Sequence, residues 1–129
     1  MKLLIADDSA HFRMRLLQML SQIAGVQIVQ SACNGYEAIA YVRKLRPDVA
    51  ILDIQMPGAN GIEVLEEIKR DFPETKVIML TGHHEPQYEQ RCIELGADHF
   101  FPKSSYPKDM VRLITEMTNA WHGRGELIG

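Results

Sequence analysis

Asp7, Asp8, Asp53, Thr81 and Lys103 are the residues of this chain whose types and positions could do chemistry together. The Asp7-Asp8 pair directly follows a short apolar run ending at Ala6. Asp53 ends the unbroken apolar run at 49–52, and Pro57, Gly58 and Gly61 behind it mark a loop. Thr81-Gly82 ends another apolar run, and Lys103 stands just past Phe100-Phe101-Pro102. Singly, each has a plain explanation. Asp53 could merely stop a strand, Asp8 or Ser9 could cap a helix, Thr81 could cap or turn the chain, and Lys103 could be a solvated surface lysine. Jointly they define a chemistry. Two like charges about 4 Å apart repel by roughly 4 kcal/mol at an effective dielectric near 20, so clustered carboxylates call for a cation. The donors are all oxygen, with no His or Cys among them. That favours Mg²⁺, which keeps waters and takes one or two carboxylates plus a phosphate oxygen. A lysine and a hydroxyl beside such an ion suit a phosphoryl group. A carboxylate can itself be the nucleophile and become an aspartyl-phosphate.

These residues meet only if the runs they follow are parallel strands of one sheet. Residues 2–6 read as a short strand. Phe12, Leu16, Met19, Leu20 and Ile23 recur at helical spacing, closed by Gly25. Residues 26–32 alternate as a second strand, and Asn34-Gly35 is a turn signal. Tyr36, Ile39, Val42 and Leu45 make a second helix, stopped before Pro47. The run ending at Asp53 has the continuous apolar character of a strand buried on both faces. Leu65, Ile68 and Phe72 give a third helix closed by Pro73, and residues 76–81 a fourth strand. Residues 85–95 are a polar fourth helix with Gly96 as its cap, and 98–101 a short fifth strand. Met110, Ile114, Met117 and Trp121 stripe the last helix, with Pro107 in its first turn. Five strands alternating with five helices predict a parallel sheet covered on both faces. In such sheets ligands bind at the carboxyl ends of the strands, where all five chemical residues fall.

Composition excludes several alternatives. At 129 residues, with 46% apolar and 24% charged residues, the chain has the balance of one globular domain. A net charge of −3 gives no bulk attraction to nucleic acid or to an anionic membrane. No apolar run approaches the ~20 residues of a membrane span, and the N-terminus lacks a signal-peptide pattern, so a cytoplasmic location is expected. Cys33 and Cys92 match no metal or redox spacing and are expected in or near the core. Met14, Met19, Met79, Met110 and Met117 are likewise expected as core. His83-His84 reads as a surface pair, since adjacent histidines in a loop rarely converge on one ion.

These residues and their order make the chain resemble the receiver domains of bacterial two-component response regulators. The resemblance is carried by Asp7-Asp8, Asp53 with Met56-Pro57-Gly58 and Gly61, Thr81-Gly82, and Lys103 after Gly96-Ala97-Asp98-His99-Phe100-Phe101-Pro102. It covers the chain from Lys2 to about Trp121, so residues 1–122 read as one receiver domain and 123–129 as a tail or the stump of a linker. It implies a doubly wound, flavodoxin-like α/β fold with five parallel strands in the order 2-1-3-4-5 and five helices. It implies that Asp53 accepts a phosphoryl group from a partner histidine kinase or phosphotransfer protein. Asp7, Asp8, Asp53 and the backbone carbonyl of Gln55 would hold Mg²⁺, while Thr81 and Lys103 contact the phosphoryl group. Phe100 matches the switch aromatic, which turns inward as Thr81 moves toward the phosphate. The face of the fourth helix, fifth strand and fifth helix, where Tyr88, His99 and Tyr106 fall, would dock an output domain, a partner or a second copy.

The pattern departs from the family in three places. Ser104 follows Lys103 where many receivers have a proline, often after a cis bond. A cis bond before a non-proline residue costs about 2.5–4 kcal/mol, so this loop is expected to be trans or differently held. Phe100 stands where Tyr is common, which removes any coupling through a phenol hydroxyl. Gln55 and His83 occupy the positions where the family tunes dephosphorylation. Two other classes compete. An aspartyl-phosphate hydrolase resembling the haloacid-dehalogenase family needs a second Asp two positions past the first, and Gln55 is there instead. A degenerate receiver acting only as an interaction module usually lacks a key residue, and here all are present. The expectation is a signalling domain and not an enzyme, acting only in its own phosphorylation and dephosphorylation.

Overall fold

The computed structural model describes the backbone of residues 1–82 and 85–128, and side chains as far as Trp121 outside that gap. The elements run β1 (Lys2–Ala6), α1 (Ala10–Leu20), β2 (Gln27–Ala32), α2 (Gly35–Leu45), β3 (Val49–Asp53), α3 (Gly61–Asp71), β4 (Lys76–Thr81), α4 (Pro86–Glu94), β5 (His99–Pro102) and α5 (Pro107–Ile128). The strands form one parallel sheet in the order β2-β1-β3-β4-β5. Successive side chains of a strand point to opposite faces, and both faces here are apolar. Leu3, Ile5, Val49, Ile51, Ile78 and Leu80 pack with Leu16 and Leu20 of α1 and Met110 and Ile114 of α5. Leu4, Ala6, Ala50, Leu52, Val77 and Met79 pack with Ala38 and Val42 of α2, Val64, Leu65 and Ile68 of α3, and Cys92 of α4. The doubly wound fold is therefore the one the alternation of elements predicts. Between β1 and β2 the register shifts, Leu3 pairing Ile28 and Leu4 pairing Gln30, which leaves Val29 as an extra residue.

Several local expectations need correction. The first helix ends at Leu20 with Ser21 as its cap, so it does not run on to Gly25. Ile23 still packs on the α1/α5 side of the core, but from the loop beyond the helix. Asn34-Gly35 is a helix start and not a free turn. The Asn34 side chain accepts the Glu37 N–H at 2.8 Å, and the Glu37 carboxylate reaches back to the Cys33 N–H at 2.9 Å. A Cβ on Gly35 would lie 1.7 Å from the Ala59 carbonyl oxygen, so only glycine lets α2 begin against the loop after β3. Cys92 is buried as expected, but Cys33 is exposed because it lies just past the end of edge strand β2. Met14 and Tyr36 are exposed as well, at the margins of their helices' apolar stripes. At the C-cap of α2, Arg46 takes the left-handed conformation (φ 47°), and its guanidinium stacks 4.3 Å from the Phe72 ring centroid. The backbone of α5 is helical from Pro107 to Ile128. Among the described residues, no helix is long and apolar enough to cross a membrane.

Candidate functional site

The site forms at the carboxyl edge of the sheet. β1 and β3 are hydrogen-bonded neighbours, with Ala6 paired to Leu52, so Asp7 and Asp53 are the next residues on adjacent strands. Asp7 continues the parity of Leu3 and Ile5, and Asp53 that of Val49 and Ile51. Both therefore fall on the parity of the α1/α5 face. One carboxylate oxygen from each of Asp7, Asp8 and Asp53 lies within 4.8 Å of the others. Asp7 and Asp53 are buried, at 1% and 4% exposure, while Asp8 is exposed. The turn into α1 fixes Asp7. Ser9 caps the helix by accepting the Phe12 N–H at 3.2 Å, and the Asp7 carboxylate accepts the Ser9 N–H at 2.9 Å. The Arg13 guanidinium donates to the Asp7 carbonyl at 2.6 Å. Ser9, not Asp8, is thus the cap, which leaves Asp8 available to the cluster.

Lys103 arrives from the far side of the sheet. Its backbone N–H donates to the Thr81 carbonyl at 2.7 Å. Its Nζ lies 2.7 Å from Asp7 Oδ2, 3.4 Å from Asp53 Oδ2, and 4.2 Å from the Phe12 ring centroid. Thr81 is buried one residue beyond Leu80, the β4 partner of Asp53. Gln55 is exposed, and its backbone N–H hydrogen-bonds the Asp53 carboxylate. Phe100 is partly buried against the core on the α2, α3 and α4 side. Among the described residues no peptide bond is cis, so the Lys103–Ser104 bond is trans. His83 and His84 lie outside the described residues, and with them the surface-pair reading and any tuning role of His83. Of the aromatics placed on the docking face, His99 is exposed and Tyr88 partly so, but Tyr106 is buried and packs inward.

The electrostatics are those of a crowded anionic pocket. Burial is the largest influence on Asp53 and raises its pKa, and the neighbouring Asp7 charge raises it further. Lys103 and the Gln55 N–H oppose them, and the carboxyl is left pushed up to about 6. Asp7 Oδ2 is buried, and among the described residues the Lys103 ammonium at 2.7 Å is its ion-pair partner, with no regular hydrogen bond to it. One ammonium shared by two buried carboxylates leaves the cluster with excess negative charge. A hard cation shared with Asp8 and Asp53 would offset that charge, and all the available ligands are oxygens. The residues therefore fit an oxygen-ligated divalent ion. Phe12, expected in the core stripe of α1, and Arg13 also reach the site. The available signal was their position in the first turns after Asp8, at the same edge as the carboxylates.

The chain is similar to known proteins in sequence and in fold. The family described as "Response regulator receiver domain" matches residues 3–115. The response regulator GacA of Pseudomonas syringae pv. syringae is 34% identical over 113 residues, covering 88% of this chain and 53% of that protein. The response regulator protein VraR of Staphylococcus aureus is 31% identical over 127 residues, covering 98% of this chain and 58% of that protein. The chain thus spans little more than half the length of these relatives. Among solved structures, a DNA-binding response regulator of the LuxR family from Staphylococcus aureus superposes with a TM-score of 0.84 at 30% identity, covering 91% of this chain and 98% of that one. The response regulator domain of Thermotoga maritima CheB gives 0.80 at 30% identity, covering 93% and 94%.

Proposed function

Because this chain belongs to the response regulator receiver family, we propose that it is a phosphorelay signalling domain whose Asp53 accepts a phosphoryl group from a histidine kinase or phosphotransfer protein. The observation that carries this reading is the placement of Asp53. It is a buried carboxylate ending the central strand, 3.4 Å from an ammonium and clustered with two further carboxylates. Even with its pKa pushed up to about 6, Asp53 is available as a carboxylate at neutral pH and able to act as a nucleophile. A carboxylate oxygen attacks phosphorus, the bond to the donor's imidazole nitrogen breaks, and the electron pair leaves with that nitrogen. Lys103 sits where it offsets charge on the carboxylates and on an arriving phosphoryl oxygen. The Thr81 hydroxyl is assigned a hydrogen bond to the phosphoryl group, and Thr81 with Phe100 the switch. Asp7, Asp8, Asp53 and the Gln55 carbonyl are the residues that would hold magnesium, which when bound neutralises the crowded oxygens and orients the phosphoryl group.

The α4–β5–α5 face is assigned the output, toward a further domain, a partner or a second copy. The S. aureus structure is of a DNA-binding response regulator. By that likeness the output of this chain is a DNA-binding segment beyond the receiver, while the receiver itself, with a net charge of −3, does not read DNA. The test is labelling by a kinase or small phosphodonor, with and without Mg²⁺. Wild type should retain an acid-stable, base-labile label, and Asp53→Asn should take none. Equal labelling of the two would refute the assignment.

A further inference from the structure

We propose that Phe12, braced by Tyr106, is a positioning residue that seats the Lys103 ammonium between Asp7 and Asp53. The inference rests on the phosphoacceptor reading above and adds to it the group that places the lysine. Lys103 stands in the turn after β5, at the end of a flexible four-carbon stem. Gly82 lies beside that stem, where a Cβ would stand 3.9 Å from Cδ. Two carboxylates compete for its charge, and Nζ has settled at 2.7 Å from one and 3.4 Å from the other. The third neighbour is the Phe12 ring, whose centroid is 4.2 Å away. A ring face attracts a cation without consuming its N–H donors. The ammonium is thus held in place while those donors stay directed at carboxylate and phosphoryl oxygens. An aliphatic side chain here would supply no attraction, and a carboxylate would bind the ammonium away from the reacting oxygen.

The ring itself is fixed from two sides. The Ser9 cap binds the Phe12 N–H and sets the first turn of α1. Tyr106, only 4% exposed, packs against the ring with centroids 5.2 Å apart at a 50° tilt. Lys103 and Tyr106 both lie in the short segment between β5 and α5, so the segment that delivers the ammonium also braces the ring under it.

The test is a double-mutant cycle on the initial rate of Asp53 phosphorylation by acetyl phosphate with Mg²⁺. Phe12→Leu should lower the rate about three- to tenfold, as expected for loss of a partly desolvated cation–π contact. The same change in a Lys103→Ala background should have no effect, and Phe12→Tyr should restore the wild-type rate. Tyr106→Leu, which removes the brace, should give a smaller loss by the same route and serves where Phe12→Leu folds poorly. An equal loss in both backgrounds, or failure of Phe12→Tyr to rescue, would make the ring a packing element and overturn the proposal. A labelled wild type indifferent to Phe12→Leu sinks this inference alone. An unlabelled wild type removes the phosphoacceptor reading and this inference together.

Discussion

Carboxylates stand at both edges of the sheet, and their surroundings differ. At the amino edge, Asp48 Oδ2 accepts the Lys2 N–H at 2.7 Å. Asp98 Oδ2 accepts the Val77 N–H at 2.8 Å and the Lys69 ammonium at 2.9 Å, with the Lys76 ammonium 3.8 Å from Oδ1. Burial alone would raise the Asp98 pKa, but the Val77 N–H and the lysines outweigh it and hold the carboxyl below its usual range. At the carboxyl edge, burial and Asp7 push Asp53 up, and one Lys103 ammonium is shared between Asp7 and Asp53. The same side chain thus ties strands and helices together at one edge and is left crowded among like charges at the other.

The largest separation between the edges should be functional. Asp53→Asn should abolish phosphoryl uptake, whereas Asp98→Asn should label like wild type. A label lost in both would show that the amino edge also supports the chemistry.

Stability should move in opposite directions. Asp98→Asn leaves a partly buried Lys69 ammonium without its charge partner and should cost on the order of 1–3 kcal/mol in urea unfolding at pH 7. Asp53→Asn removes a charge whose pKa is about two units high. At ~1.4 kcal/mol per unit that is on the order of 3 kcal/mol. Lys103 loses a partner in the change, so the net gain should be about 1–2 kcal/mol. If Asp53→Asn is the less stable protein, the crowding argument fails.

The pH dependence follows from the same shifts. Folded Asp53 binds its proton more tightly than the unfolded chain does. Between about pH 4 and pH 6 the native state therefore holds more protons, and stability from this group falls as pH rises, then levels off. Asp98 is the reverse: its contribution is full above the unfolded carboxyl pKa and is lost as pH falls through its depressed folded value. The stability advantage of Asp53→Asn over wild type should therefore grow from pH 4 to pH 6 and stay constant to pH 7. A constant difference across that range would place no shifted proton on Asp53.

Mg²⁺ should sharpen the contrast by mass action. At tenfold above its dissociation constant it should stabilise wild type and Asp98→Asn by about 1.4 kcal/mol, and Asp8→Asn much less. A gain of equal size in Asp8→Asn would take Asp8 out of the metal site. The smallest effect belongs to the amino edge. Arg46→Gly relieves a left-handed backbone but removes the stack on Phe72, and these opposing changes should leave a net gain below about 1 kcal/mol. A clear loss would show that the stack outweighs the backbone term.

Much of this contrast was legible in the sequence. Alternating apolar runs and helical stripes gave all five strands and five helices, and the residue following each run marked the reactive edge. The misses share a physical origin. Helical periodicity identifies a face but not where its margin meets solvent, so Met14, expected in the core, is exposed. Cys33 looked like a small core residue because nothing in a strand's own sequence says that it lies at the edge of the sheet. The Phe12–Lys103 contact joins residues 91 positions apart, from the first helix and the last turn, and no local pattern encodes it. Asp98 was read as part of a motif, while its structural role depends on Lys69 of α3 and Val77 of β4.

The extra residue at Val29 bears on how copies of this chain behave beside one another. An open sheet ends in unpaired N–H and C=O groups on its two outer strands, and a second chain can add itself to a regular row of them. On β2 the irregularity between Ile28 and Gln30 breaks that row and increases the local twist. On β5 the row is only four residues long and closes with Pro102, which has no N–H to offer. Both outer strands are thus poor templates for the addition of a further strand.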